Sequence, residues 1–149
     1  MLSWITTLLV ATSVWAQTTP TGKMVFMREF DGEKQIMLGN SDGSHVRALT
    51  SGKNWHIYPD LSADGSTVAY AEGPDGNHLS IVTEDLRTGS LRLWSTHPGQ
   101  HFHARFSGDG RYLAYSGSVG RDYAQRIAWV DLHTGYISVI PSQDRKSVV

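Results

Sequence analysis

The chain has seven histidines and no cysteine among its 149 residues. Any metal-binding or proton-transfer chemistry therefore falls to imidazole, with carboxylates in support. Three of the histidines form a pattern. His56 lies 45 residues before His101, and His101-Phe102-His103 is a His-x-His pair. Residues i and i+2 of a strand share one face, so His101 and His103 are expected to project together. If the two segments are spatial neighbours, His56 joins them, and three neutral imidazoles could hold a divalent ion. The plainer alternative is histidines packed at strand ends.

Other segments offer weaker chemistry. Gly39-Asn40-Ser41-Asp42-Gly43 fits the G-x-S-x-G pattern of a nucleophile elbow, but an elbow needs a helix after the serine. Here a short strand-like run, His45 to Thr50, follows, so the segment reads as a turn. Asp31-Gly32-Glu33 and Asp75-Gly76-Asn77 lack the downstream ligand spacing of a calcium loop and read as hairpin turns. Trp55, Trp94, Trp129, Tyr70 and Tyr115 lie on or beside apolar runs, where packing is the ordinary role. The absence of cysteine excludes disulfides, thiol catalysis, cysteine-ligated metals and a lipid anchor on a processed cysteine.

These residues are positioned by a repeat. Pro59-Asp-Leu-Ser-Ala-Asp-Gly-Ser-Thr-Val-Ala-Tyr70 aligns with Ala104-Arg-Phe-Ser-Gly-Asp-Gly-Arg-Tyr-Leu-Ala-Tyr115 at an offset of 45, and a fainter copy begins at Gly22. Gly43, Gly89 and Gly135 recur every 46 residues, each between two apolar stretches. Asp-Gly between apolar runs signals a hairpin whose two central residues both take φ > 0. Each full copy thus reads as strand, Asp-Gly turn, strand, loop, strand, Gly turn, strand. Four short antiparallel strands recurring every 40–45 residues is the pattern of propeller blades. A β-sandwich is the alternative, but it does not call for matching turn sequences at equal spacing. The expected fold is all-β: a partial β-propeller of about three four-stranded antiparallel blades, with copies at about 22–50, 54–97 and 100–141 within a repeat region of 22–149.

The motif Leu/Phe-Ser-x-Asp-Gly-x-x-x-Ala-Tyr, followed by an apolar strand and an Asp/Thr-Gly turn, resembles the TolB-like (WD40-like, PD40) propeller repeat over most of residues 22–140. The resemblance implies that the strand before each Asp-Gly turn is the innermost of its blade. It also implies a non-catalytic, periplasmic interaction module whose partners are Tol–Pal-like components of the cell envelope. Gln100-His101-Phe102-His103 is in addition similar to the metal-binding His-x-His stretch of oligogalacturonate lyase propellers. That second resemblance implies a divalent metal held by His56, His101 and His103, acidifying a uronate C–H before elimination. A third use of the repeat is the propeller of an exported prolyl-oligopeptidase-type hydrolase. The favoured expectation is no catalytic residue and no cofactor, with the histidine metal site as the alternative. The blade count is short of the four to eight that closed propellers need, so the propeller is expected to be incomplete, with open blade edges prone to self-association.

Residues 1–16 carry no charged side chain, contain Ile5 to Ala11 as an apolar run, and end Val14-Trp15-Ala16 before a polar linker at 17–21. This reads as a secretory signal, too short to span a bilayer. A periplasmic or secreted protein, not membrane-spanning after cleavage, is the expectation. Thirteen basic against fourteen acidic residues leave a net charge of −1. Such a balance gives no field for nucleic acid; the envelope protein expected as partner is what the TolB-like resemblance implies. N-terminal sequencing of the exported form should begin at Gln17; recovery of intact Met1 from the cytosol would contradict export.

Overall fold

A computed structural model describes residues 22–95, 99–118 and 124–140. The signal and linker expected at 1–16 and 17–21 lie outside the described residues. Among the described residues eleven strands form three antiparallel meanders. The first sheet contains β1 (Lys23–Phe30), β2 (Glu33–Asn40) and β3 (Arg47–Ala48). The second contains β4 (Trp55–Leu61), β5 (Thr67–Gly73), β6 (Ser80–Asp85) and β7 (Leu91–Leu93). The third contains β8 (His101–Phe106), β9 (Tyr112–Ser118), β10 (Gln125–Asp131) and β11 (Ile137–Val139). No helix occurs among the described residues. This is the expected all-β arrangement, a partial propeller of three blades, the first with three described strands.

The sheets stack face to face because their middle strands are apolar on both sides. In β5 the run Val68-Ala69-Tyr70-Ala71 is buried throughout. Alternation sends Val68 and Tyr70 to one face, where with Val82 they meet Ile36, Val25 and Leu49 of the first sheet. Ala69 and Ala71 point the other way and join Ile57, Ile81 and Trp94 against Leu113, Tyr115, Ala128 and Val130 of the third sheet. Burying one such Ile, Leu or Val side chain is worth about 1.5–3 kcal/mol, so these two interfaces hold the stack. The outermost strands β3, β7 and β11 are only two or three residues long, which limits the exposed edge.

The repeated turns are set by carboxylates. Between β4 and β5, Asp64 accepts hydrogen bonds from the Ser62 hydroxyl at 2.6 Å and the Ser66 N–H at 3.0 Å. The Ser62 hydroxyl accepts the Thr67 N–H at 2.9 Å, and the Gly65 N–H reaches the Ser62 carbonyl at 2.8 Å. Ser107, Asp109, Gly110 and Tyr112 repeat the set between β8 and β9. The expectation of two positive-φ residues at each Asp-Gly turn is met only at Asp31 and Gly32, with φ of 52° and 79°. At the two repeated turns only the glycine is left-handed, because the loop is longer and the aspartate side chain replaces a backbone acceptor.

A second carboxylate pair closes the turns after β6 and β10. Asp85 accepts the N–H groups of Arg87 and Thr88, and Asp131 those of His133 and Thr134. Hydrogen bonding to the ionised form holds the carboxyls of Asp64, Asp85, Asp109 and Asp131 below the usual value, Asp64 at about 2 against 3.8. A depressed folded-state pKa gives stability that is full above the unfolded value and is lost on acidification. The thermal midpoint should therefore hold above about pH 4 and fall steeply between about pH 4 and 2. Replacing Asp64 and Asp109 by Asn should lower the midpoint at pH 7 and flatten that acid limb; an unchanged limb would show that these turns do not set the acid response.

Candidate functional site

The innermost strands β4 and β8 carry the histidines, and the repeat places them in matched positions. His56 and His101 are both buried, each ring meeting a tyrosine edge-on: His56 with Tyr70 at 5.9 Å, His101 with Tyr115 at 5.8 Å. The two differ in what lies opposite. His56 faces Glu72, whose Oε1 is 3.6 Å from the imidazole Nε2 and accepts a hydrogen bond from Asn54. His101 faces Gly117, and its ring fills the space a side chain would need: a Cβ on Gly117 would overlap Nδ1.

His103 does not follow His101. The β8–β9 register shifts between Phe102 and Arg105, and His103 takes φ of 55°. This bulge breaks the two-residue alternation, so His101 is 2% exposed while His103 turns out to solvent. The same shift occurs between Ile57 and Asp60, with Tyr58 at φ of 56°. Tyr58 and His103 are thus repeat equivalents in the same left-handed bulge, and their rings stack at 4.3 Å with a tilt of 39°. Phe102 meets Tyr58 edge-on at 6.3 Å. The expected co-projection of His101 and His103 is therefore corrected by the bulge. Among the described residues no group of three His, Asp or Glu side chains is placed to hold a metal ion.

Beside this aromatic step the two blades exchange polar contacts. Asp60 Oδ2 accepts the Phe106 N–H at 2.8 Å, and Arg105 Nη1 lies 3.9 Å from Asp60 Oδ1 and donates to the Ala104 carbonyl at 2.9 Å. Asp60 and Arg105 occupy equivalent repeat positions, so the substitution of base for acid turns a repeated position into an inter-blade pair. Tyr58, Phe102, His103, Asp60 and Arg105 form a mixed aromatic and charged surface suited to contact with a peptide or protein. The sequence reading missed Tyr58, Asp60 and Arg105. The signal available was the alignment itself, in which Tyr58 pairs with His103 and Asp60 with Arg105.

A separate polar cleft of about 740 Å³ opens between the second and third sheets, lined by Asp64, Asp85, Arg92, Trp94 and Asp109. Its carboxylates are already committed to their own turns, and Arg92 stacks on Trp94 at 3.9 Å. Gly39 and Asn40 end β2 and the chain turns at Ser41 to Gly43, as expected: the Gly43 N–H reaches the Asn40 carbonyl, and Asp42 accepts the Ser44 N–H at 2.8 Å. Among the described residues no helix is long and apolar enough to cross a membrane.

Three stacked antiparallel sheets with inner-strand bulges and repeated Ser-x-Asp-Gly turns define a partial β-propeller with TolB-like blades. The comparisons with known proteins agree. Tol-Pal system protein TolB of Rickettsia rickettsii (strain Sheila Smith) is 30% identical over 83 residues, 56% of this chain and 19% of that protein. The chain thus spans about a fifth of the length of the curated relatives it matches. Among solved structures, TolB from Acinetobacter baumannii superposes with a TM-score of 0.63 at 18% identity, covering 78% of this chain and 29% of that one. An oligogalacturonate lyase in complex with manganese superposes with a TM-score of 0.55 at 19% identity, over 76% of this chain and 31% of that one. At such identities the superpositions speak for the fold. No family model matches the chain.

The packing of His101 on Gly117 gives a direct test of the inner-strand geometry. Gly117→Ala should cost roughly 1–3 kcal/mol of unfolding free energy, the range for overfilling a packed site. The cost should shrink in a His101→Ala background, since the clash then has no partner. Additive effects of the two substitutions in chemical denaturation would contradict the contact.

Proposed function

We propose that the chain is a non-catalytic, periplasmic protein-interaction module of the cell envelope, a TolB-like propeller segment that binds a Tol–Pal-like component. The observation that carries this reading is the 30% identity to Tol-Pal system protein TolB across 83 residues of the repeat region. The inner-strand surface supports it. Left-handed backbone at a non-glycine residue costs about 1–3 kcal/mol, and such strain concentrates at functional positions. Among the described residues four non-glycine positions take positive φ, Asp31, His45, Tyr58 and His103; the last two lie within strands β4 and β8, and both side chains are left exposed, 42% for Tyr58. Exposed aromatic rings beside an Asp–Arg pair are the kind of surface at which proteins find binding energy. The same reading includes self-association, because the first and third sheets each keep one face that no other described sheet covers.

Purified chain should bind an immobilised Tol–Pal component in a direct titration, and the Tyr58→Ala/His103→Ala double variant should weaken binding at least tenfold, about 1.4 kcal/mol. Retained strand content in circular dichroism would show that the loss is local. Absence of binding to every Tol–Pal component, or binding indifferent to both substitutions, would remove the proposal.

A further inference from the structure

The two interfaces between described sheets are built from equivalent positions, and one is filled where the other is open. The bonds from the Leu49 N–H to the Ile36 carbonyl and from the Trp94 N–H to the Ile81 carbonyl fix the match between the first and second sheets. Met37 of β2 then matches Val82 of β6, and their cross-strand partners Phe26 and Tyr70 match in turn. Three residues back along β1 and β5, Lys23 matches Thr67; one residue on along β2 and β6, Leu38 matches Thr83.

Lys23 shares the strand face of Val25, which packs on the second sheet. Its ammonium crosses that interface and donates to the Gly65 carbonyl at 2.9 Å, in the turn between β4 and β5. A Cβ on Gly65 would lie 3.8 Å from Lys23 Cδ, so the lysine stem runs against the turn. Leu38, also buried, lies on the same face of its sheet as Ile36. At the next interface both positions are threonine. There the cleft of about 740 Å³ opens, lined by Thr67, Thr83 and Gly110, the counterpart of Gly65.

We propose that this cleft between the second and third sheets binds a lysine side chain of a peptide partner, its ammonium taking toward Gly110 the place that Lys23 takes toward Gly65. The site is apart from the Tyr58 and His103 surface and does not rest on the envelope-partner reading. Its lining suits the group. Asp64, Asp85 and Asp109 face the cleft against a single guanidinium, Arg92. That guanidinium is held on the Trp94 ring at 3.9 Å, with Nη1 3.4 Å from the Leu132 carbonyl. The turns of Asp85 and Asp109 engage Oδ1, and a carboxylate has a second oxygen to offer a donor. Phe106 and Leu132 supply apolar surface for the methylene stem, the usual way a lysine is accommodated. An ammonium donates three hydrogen bonds and imposes no coordination polyhedron, which matters because no described group of three His, Asp or Glu is placed to hold a metal ion. The volume falls in the range of about 300–1,000 Å³ usual for ligand clefts, which leaves room for residues on either side of the lysine.

Titration of the isotope-labelled full chain with a capped pentapeptide, one lysine between pairs of alanines, should move the Gly110 amide and Trp94 indole resonances saturably. The same peptide with norleucine keeps the stem and loses the charge. It should bind about tenfold more weakly or worse, the effect of losing one charge-assisted hydrogen bond. Thr67→Lys supplies the ammonium from within, as Lys23 does at the first interface, and should keep the strand signal in circular dichroism while abolishing the titration. Asp85→Asn retains an oxygen acceptor for its turn and should weaken the lysine peptide but not the norleucine one. Equal binding of the two peptides, undiminished binding to a folded Thr67→Lys chain, or indifference to Asp85→Asn would each overturn the proposal. Binding of n-butylamine as tightly as the peptide would overturn the assignment to a peptide partner.

Discussion

A four-stranded sheet that is apolar on both faces cannot stand in water alone, and this constraint governs the rest of the molecule. Val68 and Tyr70 need a neighbour on one side and Ala69 and Ala71 a neighbour on the other, so β5 is stable only between two further sheets. The sequence meets this by repetition: the same strand pattern is produced again, and each copy covers the previous one. The small residues at 69 and 71 share a buried cluster with Leu113 and Tyr115, while Tyr70 fills the opposite face against Ile36.

That stacking leaves little freedom at the inner edge. Successive innermost strands lie side by side, and β4 touches both β1 and β8. A regular strand would send every second side chain into this crowded edge. The bulges at Tyr58 and His103 divert one side chain per blade outward and let the two rings stack on each other. The residues before the bulge, His56 and His101, remain inside and pack on the tyrosines of β5 and β9. One backbone irregularity therefore sorts the histidines into packing residues and surface residues.

Much of this was legible in the sequence, and the limits have physical causes. The repeat alignment located the blades because turn chemistry is local: Ser62, Asp64 and Gly65 make the same hydrogen bonds as Ser107, Asp109 and Gly110 wherever that motif closes a hairpin. The equivalence of His56 and His101 followed from the same offset. The separation of His103 from His101 did not, because a bulge is a property of two paired strands and not of either alone. Asparagine, aspartate and histidine accept left-handed backbone more readily than most residues, but tyrosine does not, so Tyr58 gave no warning. The Asp85 and Asp131 turns were present as a repeated Asp-Leu-x-Thr-Gly string, readable once the aspartate is seen as the acceptor for the N–H groups two and three residues on.

The same constraint separates the two kinds of surface on the chain. Where equivalent positions keep their character across copies, as Tyr70 and Tyr115 do, they serve the stack. Where the character changes, the residue has been released from the stack or recruited to something else. Asp60 becomes Arg105 and makes a contact between blades; Glu72 becomes Gly117 and admits the His101 ring; Thr83 becomes Trp129 on a face with no described neighbour. In each case the departure from the repeat is compensated by a partner visible in the structure, except at Trp129. Its only ring contacts among the described residues are Tyr112 and Tyr136 of its own sheet, and these orient the indole without covering it. A tryptophan where the repeat has threonine, braced edge-on by two tyrosines, marks the face of the third sheet that no described sheet covers.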